Sequence, residues 1–426
     1  MNVNPIMLAI PFFFLAMGIE IWLDHHRQTN LYRLNDSITN LGAGTSQQVV
    51  GIFLKVFTLG IYEAVYAHAA LFTIPHVWWS WVLAFLLYDL CYYVAHRLSH
   101  EVNLFWSGHV VHHQSEEYNL SVALRQSWFQ GVWTAPVYLP MALLGFDTTQ
   151  LLIVGGINLI YQFWIHTELI DRMGFLETFM NTPSHHRVHH GRNPKYIDKN
   201  HAGTFIIWDR LFGTFQAEEE RPVYGITTPI NSWNPVWANF SHYEQISQQL
   251  RQAPHFTDKL KVLFYKPGWD AKMAVYHPIP AVSRDEYQKF DTAVAPTVNY
   301  YVLFQYGLLL LATFPFLQFQ AQLGWGQKAV IALLVGLTVV NFGWLFEGRR
   351  WAYRVEAGRL LVCAGVATYL LLPLPAGMWL ALSVGLVTLL SLGWLWRARH
   401  SQTGLSNVPE KAVTDTVANA AKASVS

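Results

Sequence analysis

Charge is scarce in this sequence. Lys and Arg number 28 and Asp and Glu 27 among 426 residues, 13% in all, about half the usual share of a soluble domain. With 52% of residues hydrophobic, that scarcity excludes an ordinary soluble globule and indicates an integral membrane protein. A net charge of +1 leaves no electrostatic footprint for nucleic acid. Cysteine is nearly absent. Cys91 and Cys363 both lie in apolar runs, which speaks against a disulfide framework and against a thiolate zinc site. No His-Glu-x-x-His occurs, so the metalloprotease signature is missing. The Glu-x-x-His pairs of carboxylate-bridged di-iron bundles are missing too. There is no internal repeat.

Histidine is what the chain has instead, 19 in all, concentrated between His96 and His201. His96 and His100 form HxxxH. His109, His112 and His113 form HxxHH, and His186, His189 and His190 repeat that spacing. His166 stands alone between them. Positions i, i+3 and i+4 share a helix face, so each group aims two or three rings at one point. Neutral imidazole is the commonest metal-ligating side chain. One zinc or iron takes about four to six ligands, so this many histidines suit two ions with open positions. His185, beside His186, points elsewhere on a helix and is expected behind the ligands.

The hydrophobic runs supply the frame. Met1–Leu23, without a basic leader or a small-residue cleavage site, reads as a membrane anchor and ends at Asp24-His25-His26-Arg27, with the two histidines at the interface. Tyr32–Gln48 reads as a polar connection. Val50–Thr73, Val77–Ala95, Ser127–Leu144, Gln150–His166, Asn299–Phe319, Val330–Phe346, Leu360–Leu372 and Met378–Trp396 follow as spans. This makes an all-α polytopic protein with nine segments, most of them near the length needed to cross about 30 Å of hydrocarbon. Residues 1–298 are expected to form a catalytic domain, 299–400 a four-helix membrane module and 401–426 a disordered tail. The turns at Ile74–His76, Gly145–Thr149, Gln320–Gln327 and Leu374–Gly377 carry almost no Lys or Arg. The opposite side holds Arg27, Arg33, Arg97, Arg125 and Arg349-Arg350. The positive-inside rule therefore places the histidines at the cytoplasmic face. Lys259–Lys272, with Tyr265 and Trp269, reads as a headgroup-facing or solvated segment.

The motifs around these histidines resemble the fatty acid hydroxylase / sterol desaturase superfamily of membrane di-iron enzymes, and within it the alkylglycerol monooxygenase family. The resemblance rests on His96-Arg-Leu-Ser-His100-Glu101, on His112-His113-Gln-Ser-Glu116-Glu117-Tyr118-Asn119-Leu120-Ser121, on Ala123–Ser127, on His185–Asn193 and on Ile197–Gly203 running to Trp208–Phe215. It implies a di-iron site held by His96, His100, His109, His112, His113, His186, His189 and His190, with His166 as a further ligand. It implies O₂ as co-substrate, a lipid drawn from the bilayer, tetrahydrobiopterin as the cytoplasmic electron donor, and hydroxylation of the carbon beside an ether oxygen to release fatty aldehyde and glycerol. Some relatives carry a second histidine one turn from His166, where this chain has Gln162 and Ile170. Glu101, which matches a family glutamate, is expected to act at the site, its carboxylate accepting from an imidazole N–H. Asp89 is expected to bond a ligand histidine. Asn200-His201 departs from the family's Asn-Tyr, making His201 an extra ligand or a polar replacement. Trp208–Phe215 reads as a fold anchor. The membrane would be the inner membrane of a bacterium or the endoplasmic reticulum of a eukaryote.

Three other readings follow from the same residues. A sterol, fatty-acid or carotenoid hydroxylase or desaturase would use the same ligands on another tail. A metal transporter would need its ligands at the bilayer midplane between broken helices, whereas these lie at span ends. A zinc hydrolase is compatible with an all-histidine site.

Overall fold

The computed structural model describes residues 5–405. Most of the expected tail lies outside them, and its first residues continue the last helix to Leu405. The chain divides into two compact units. Among the described residues one comprises those up to 231 and 235–290, the other 232–234 and those from 291 to 405.

The first unit opens with α1 (Pro5–Arg27), α2 (Leu34–Ala69) and α3 (Trp78–Glu101). Three single turns follow, α4 (Asn103–Trp106), α5 (Val110–His113) and α6 (Leu120–Ala123), then the hairpin α7 (Gln130–Leu143) and α8 (Thr148–Trp164). Beyond it lie α9 (Pro183–His189), α10 (Ile207–Phe212), α11 (Pro235–Gln252), α12 (Phe256–Phe264) and a two-stranded ribbon, β1 (Trp269–Asp270) and β2 (Val275–Tyr276). The second unit is α13 (Pro296–Phe319), α14 (Trp325–Phe346), α15 (Ala352–Leu371) and α16 (Gly377–Leu405).

Among the described residues six helices are long and apolar enough to cross a membrane: α1, α2, α3, α13, α14 and α16. Three of the nine expected segments fall short of that standard, each for a visible reason. Helix α7 has only 14 residues, because Ser127 and Trp128 are tied outside it to Asn239 Oδ1. Helix α8 has 17. Helix α15 starts well before Leu360, and its first half carries Arg354, Glu356 and Arg359.

The α7–α8 hairpin nonetheless reaches the same level as the α2–α3 turn. Leu71 N donates to Leu143 O (2.8 Å), Ile74 N to Gly145 O (3.3 Å), and His76 Nε2 lies 2.7 Å from Asp147 Oδ2. Asp147 also starts α8 in a reciprocal cap with Gln150, which satisfies two otherwise orphaned amides. Tyr62, Ala84, Met141, Ala142, Phe146 and Val154 fill the apolar core between α2, α3, α7 and α8. At about 1.5 Å rise per residue, α3 is about 15 Å longer than α7. Its excess length carries His96 and His100 beyond the apolar core.

The stretch expected as a polar connection is helix. Asp36, Asn40 and Ser46 lie on the first half of α2 and are buried. Asn40 Nδ2 bonds Asp36 Oδ2 and Ser121 Oγ, and Asn40 Oδ1 accepts from Arg125 at 3.0 Å. Helix and loop approach so closely that a Cβ at Gly44 would sit 2.1 Å from Leu124 O. Gly44→Ala is therefore expected to cost about 1–3 kcal/mol, as other overpacking does, seen as a lowered Tm in detergent. An unchanged Tm would contradict this packing.

In the second unit two of the charges of α15, Glu356 and Arg359, are paired inside the bundle. Glu356 is fully buried and accepts from Tyr301 Oη (2.6 Å), Asn341 Nδ2 (2.7 Å) and Arg359 Nε (2.7 Å). Arg359 reaches Gln305 Oε1 at 3.1 Å, and Gln305 bonds Ser391 Oγ at 2.8 Å. The network thus draws on all four helices, and its buried ion pair has partners for its polar atoms, as such a pair requires.

Candidate metal centre

Four separate stretches bring imidazoles together. His96 and His100 sit one turn apart at the end of α3. His109 starts α5, which carries His112 and His113. His166 follows α8. His186 and His189 lie on α9, with His190 at its end. All nine are buried. Their nitrogens gather into two groups, each within 4.8 Å: His96, His100, His109, His113 and His189 in one, His112, His166, His186 and His190 in the other. The groups adjoin. His113 and His190 stack at 4.4 Å between centroids, and His186 and His189 at 5.1 Å.

Backbone carbonyls orient the rings. His96 Nδ1 donates to His201 O (2.8 Å), His112 Nδ1 to Arg125 O (3.0 Å), His166 Nδ1 to Gln162 O (2.7 Å) and His189 Nδ1 to Lys199 O (3.0 Å). A carbonyl only accepts, so each Nδ1 carries the proton and each Nε2 a lone pair. Burial, reinforced by neighbouring imidazoles, holds His109, His113, His186, His189 and His190 well below the ordinary imidazole range. Burial also pushes His112 down to about 4. The rings are neutral at physiological pH, the form that binds metal.

That protonation pattern carries a consequence. His112 Nε2 and His166 Nε2 face each other at 3.2 Å, lone pair to lone pair. Further Nε2 pairs stand at 2.9 Å (His96–His109), 3.0 Å (His109–His113 and His166–His186) and 3.2 Å (His186–His190). Nitrogens 2.1 Å from one ion and at right angles to it are about 3.0 Å apart. The buried His100 Nε2 and His189 Nε2 have no partner. A cation in each group would satisfy these atoms, whereas no hydrogen bond can form between the bare His112 and His166 nitrogens.

The surroundings hold this cage from several directions. Arg125 donates to Val111 O (2.6 Å) and Gln114 Oε1 (3.0 Å) while its own carbonyl receives His112. Arg187, fully buried, forms a fork with Glu218 (2.8 and 2.7 Å) and donates to Thr167 O and Ile170 O, tying α9 to the loop after His166. Asp209 accepts from His201 N, Ala202 N and Thr214 Oγ1, so Trp208–Phe215 does anchor the fold.

Other expected residues sit elsewhere. Asp89 does not bond an imidazole. Its carboxylate accepts from Asn158 Nδ2 (2.6 Å), Thr204 N (2.7 Å), Phe205 N (3.0 Å) and Trp208 Nε1 (2.9 Å), because the 204–208 loop presents free amides where α3 passes. Glu101 lies 3.3 Å from Arg97 and 3.5 Å from Lys266, and the imidazole N–H groups go to carbonyls instead. His185 is outside both groups, with its ring 5.3 Å from Phe215. His201 is buried and its ring stands 5.0 Å from His100, but it belongs to neither group. Gln162 and Ile170, at the offsets noted beside His166, differ in environment: Gln162 is buried and Ile170 exposed.

Sequence reasoning missed Glu20, the lone acid in the first apolar run. It is buried on α1 and accepts from Leu120 N (2.8 Å), Thr167 Oγ1 (2.5 Å) and the Tyr32 hydroxyl. Its isolation among apolar residues was the available signal.

Residues 81–214 match the fatty acid hydroxylase family model, a stretch that includes all nine clustered histidines. The chain is 38% identical over 363 residues to alkylglycerol monooxygenases of Xenopus tropicalis and Homo sapiens, covering 83% of this chain and 80% of each relative. The Caenorhabditis elegans alkylglycerol monooxygenase is 33% identical over 79% of this chain and 71% of its own. A shorter match, 28% over 135 residues, joins 32% of this chain to 41% of an ornithine lipid hydroxylase of Rhizobium tropici. No solved structure matches. Relatives this similar over this much of their length settle the kinship: the chain belongs to the fatty acid hydroxylase family, among the alkylglycerol monooxygenases.

Proposed function

We propose that this protein is a di-iron membrane monooxygenase that hydroxylates the carbon beside the ether oxygen of alkylglycerol lipids. The observation that carries this reading is the pair of adjoining all-histidine groups in a chain similar to alkylglycerol monooxygenases through most of its length. All-nitrogen donors suit iron, zinc and copper, and the family selects iron among them. His96, His100, His109, His113 and His189 would hold one ion, and His112, His166, His186 and His190 the other. When bound, the irons supply activation of O₂ and attack on an unactivated C–H bond. With two electrons and two protons from a reduced pterin, one oxygen atom enters the substrate and the other leaves as water. The product is a hemiacetal, which falls apart to aldehyde and glycerol.

The residues of the chain serve this chemistry by position. The carbonyls of His201, Arg125, Gln162 and Lys199 fix the ring tautomers. Ring burial keeps bulk water from the cage. Glu101, paired with Arg97 and Lys266 at its edge, would tune the local charge and steer protons there. Five segments of the first unit, α1, α2, α3, α7 and α8, and four of the second would span the bilayer. The Lys/Arg-poor turns would face outward and the cage the cytoplasm, where the reductant enters. Residues 1–298 would then be the catalytic domain and 299–400 a membrane module.

The test is turnover of a 1-O-alkylglycerol by purified protein with and without tetrahydrobiopterin under ¹⁸O₂. We expect pterin-dependent aldehyde carrying the label. Label from water would indicate a hydrolase. Oxidation of a sterol or acyl lipid in place of the ether would move the chain to another lipid.

A further inference from the structure

Beyond the lipid reaction, we propose that α12 docks on the headgroup layer of a bilayer carrying anionic phospholipids. Phe256, Leu260 and Phe264 recur at one-turn intervals along this helix, on one face. They are 73%, 41% and 55% exposed. Asp258 and Val262, on the opposite face, are buried. The helix packs inward with one side and turns a stripe of large apolar side chains outward, where a water-facing helix carries polar ones. Tyr265, just after the helix, and Met273, Val275 and Tyr276 in the ribbon and its turn are exposed as well. Exposed apolar stripes of this kind mark interaction surfaces.

Two observations name the lipid surface as the occupant. The first is depth. The 24 residues of α3 extend about 36 Å, against about 30 Å of hydrocarbon. Trp78 and Trp79 open α3 and are exposed, as residues of an interfacial belt are. The far end of α3 then stands just beyond the hydrocarbon, among the headgroups. Asn103, two residues past that end, is bonded to α12. Its backbone N donates to Tyr265 O (2.9 Å) and its Nδ2 to Val262 O (2.8 Å), which pins α12 at headgroup level. The second observation is charge. From Arg251 to Tyr276 the chain has five cations, Arg251, Lys259, Lys261, Lys266 and Lys272, against two acids, Asp258 and Asp270. Lys259 and Lys261 flank the apolar stripe on its two sides. Lys261 turns in to Asp258 (3.1 Å). Lys259 and Lys272 are exposed and have no carboxylate partner among the described residues. Lysines beside an apolar stripe are the pattern of a helix lying in the plane of an anionic surface. Lys266, just past the helix, bonds Asp198 Oδ2 at 3.0 Å and stands 3.5 Å from Glu101, so the docked segment adjoins the edge of the histidine cage.

The test places an environment-sensitive dye on Leu260→Cys, in full-length protein with Cys91→Ala and Cys363→Ala. The protein is held in nanodiscs of phosphatidylcholine, alone or mixed with phosphatidylglycerol. Leu260 is exposed, so the change leaves the packing intact. With phosphatidylglycerol present, the dye should be quenched by a lipid carrying a nitroxide near its headgroup and shielded from iodide in the water. Phe256→Ser with Phe264→Ser should return it to water. One lysine at an anionic surface corresponds to about a fivefold change in docking, so Lys259→Gln with Lys272→Gln should lower the docked-to-free ratio about 25-fold. Quenching by iodide and not by lipid would place the stripe in water and overturn the proposal. Shielding from both quenchers would show another protein surface, such as a second copy of this chain, on the stripe, and would overturn it too. Equal lipid quenching in discs of phosphatidylcholine alone would overturn the anionic preference.

Discussion

His189→Ala is expected to abolish turnover and to lower bound iron by at least one ion per chain. His189 closes the square of the first group, between His96 at 4.3 Å and His113 at 4.8 Å. Its Nδ1 is held by Lys199 O, so no other nitrogen of the ring can turn to the ion. Alanine also opens a buried gap beside His190 and weakens the second group. Metal analysis together with alkylglycerol turnover checks this. Full iron and full activity in the variant would remove His189 from the ligand set. His190→Ala, from the second group, should lose activity as well, and the two variants together should bind no iron stably.

Arg187→Met is expected to destabilise the fold by about 3–5 kcal/mol, the cost of stripping one partner from a buried ion pair. Arg187 is wholly enclosed and Glu218 nearly so. With their two bonds at 2.7–2.8 Å gone, Glu218 keeps only the more exposed Arg221, at 3.3 Å, to balance a buried charge. The carbonyls of Thr167 and Ile170 lose their donor as well. These two carbonyls belong to the loop just after His166, and Arg187 lies between His186 and His189, so the second histidine group should loosen with the fold. Thermal unfolding in detergent measures the first effect and iron retention on dialysis the second. Arg187→Met with Glu218→Gln should recover part of the stability, because the stranded charge is then absent. A single variant as stable as the wild type would show that the pair contributes little.

The clustering of the nine histidines was legible because helix periodicity writes it into the chain. HxxxH and HxxHH can be read as faces, and the folded chain brings all those faces together, with His166 among them. What the faces rest against was not legible. Asp89 was paired with a histidine in the sequence reading, yet its partners are amides of residues 204 and 205, too far along the chain for spacing to reveal. Arg187 stands among histidines far from any acid that spacing would pair with it, and only the fold shows that Glu218 is its partner. The first half of α2 looked like a loop because Asp36, Asn40 and Ser46 are polar. They are buried against Ser121, Arg125 and Trp128, so their polarity serves tertiary bonds. On α15 the apolar run was read as a span, and the charged turn before it, paired within its own bundle, was left out. Hydropathy scores a charge by its chemistry and does not see its partner.

The two-ion cage is tested most directly by Mössbauer spectroscopy of purified, iron-57-loaded protein, combined with iron counting. The account predicts two irons per chain, one for each histidine group, in nitrogen-rich surroundings without sulfur. A single iron, or zinc in its place in protein that still oxidises alkylglycerol, would contradict it.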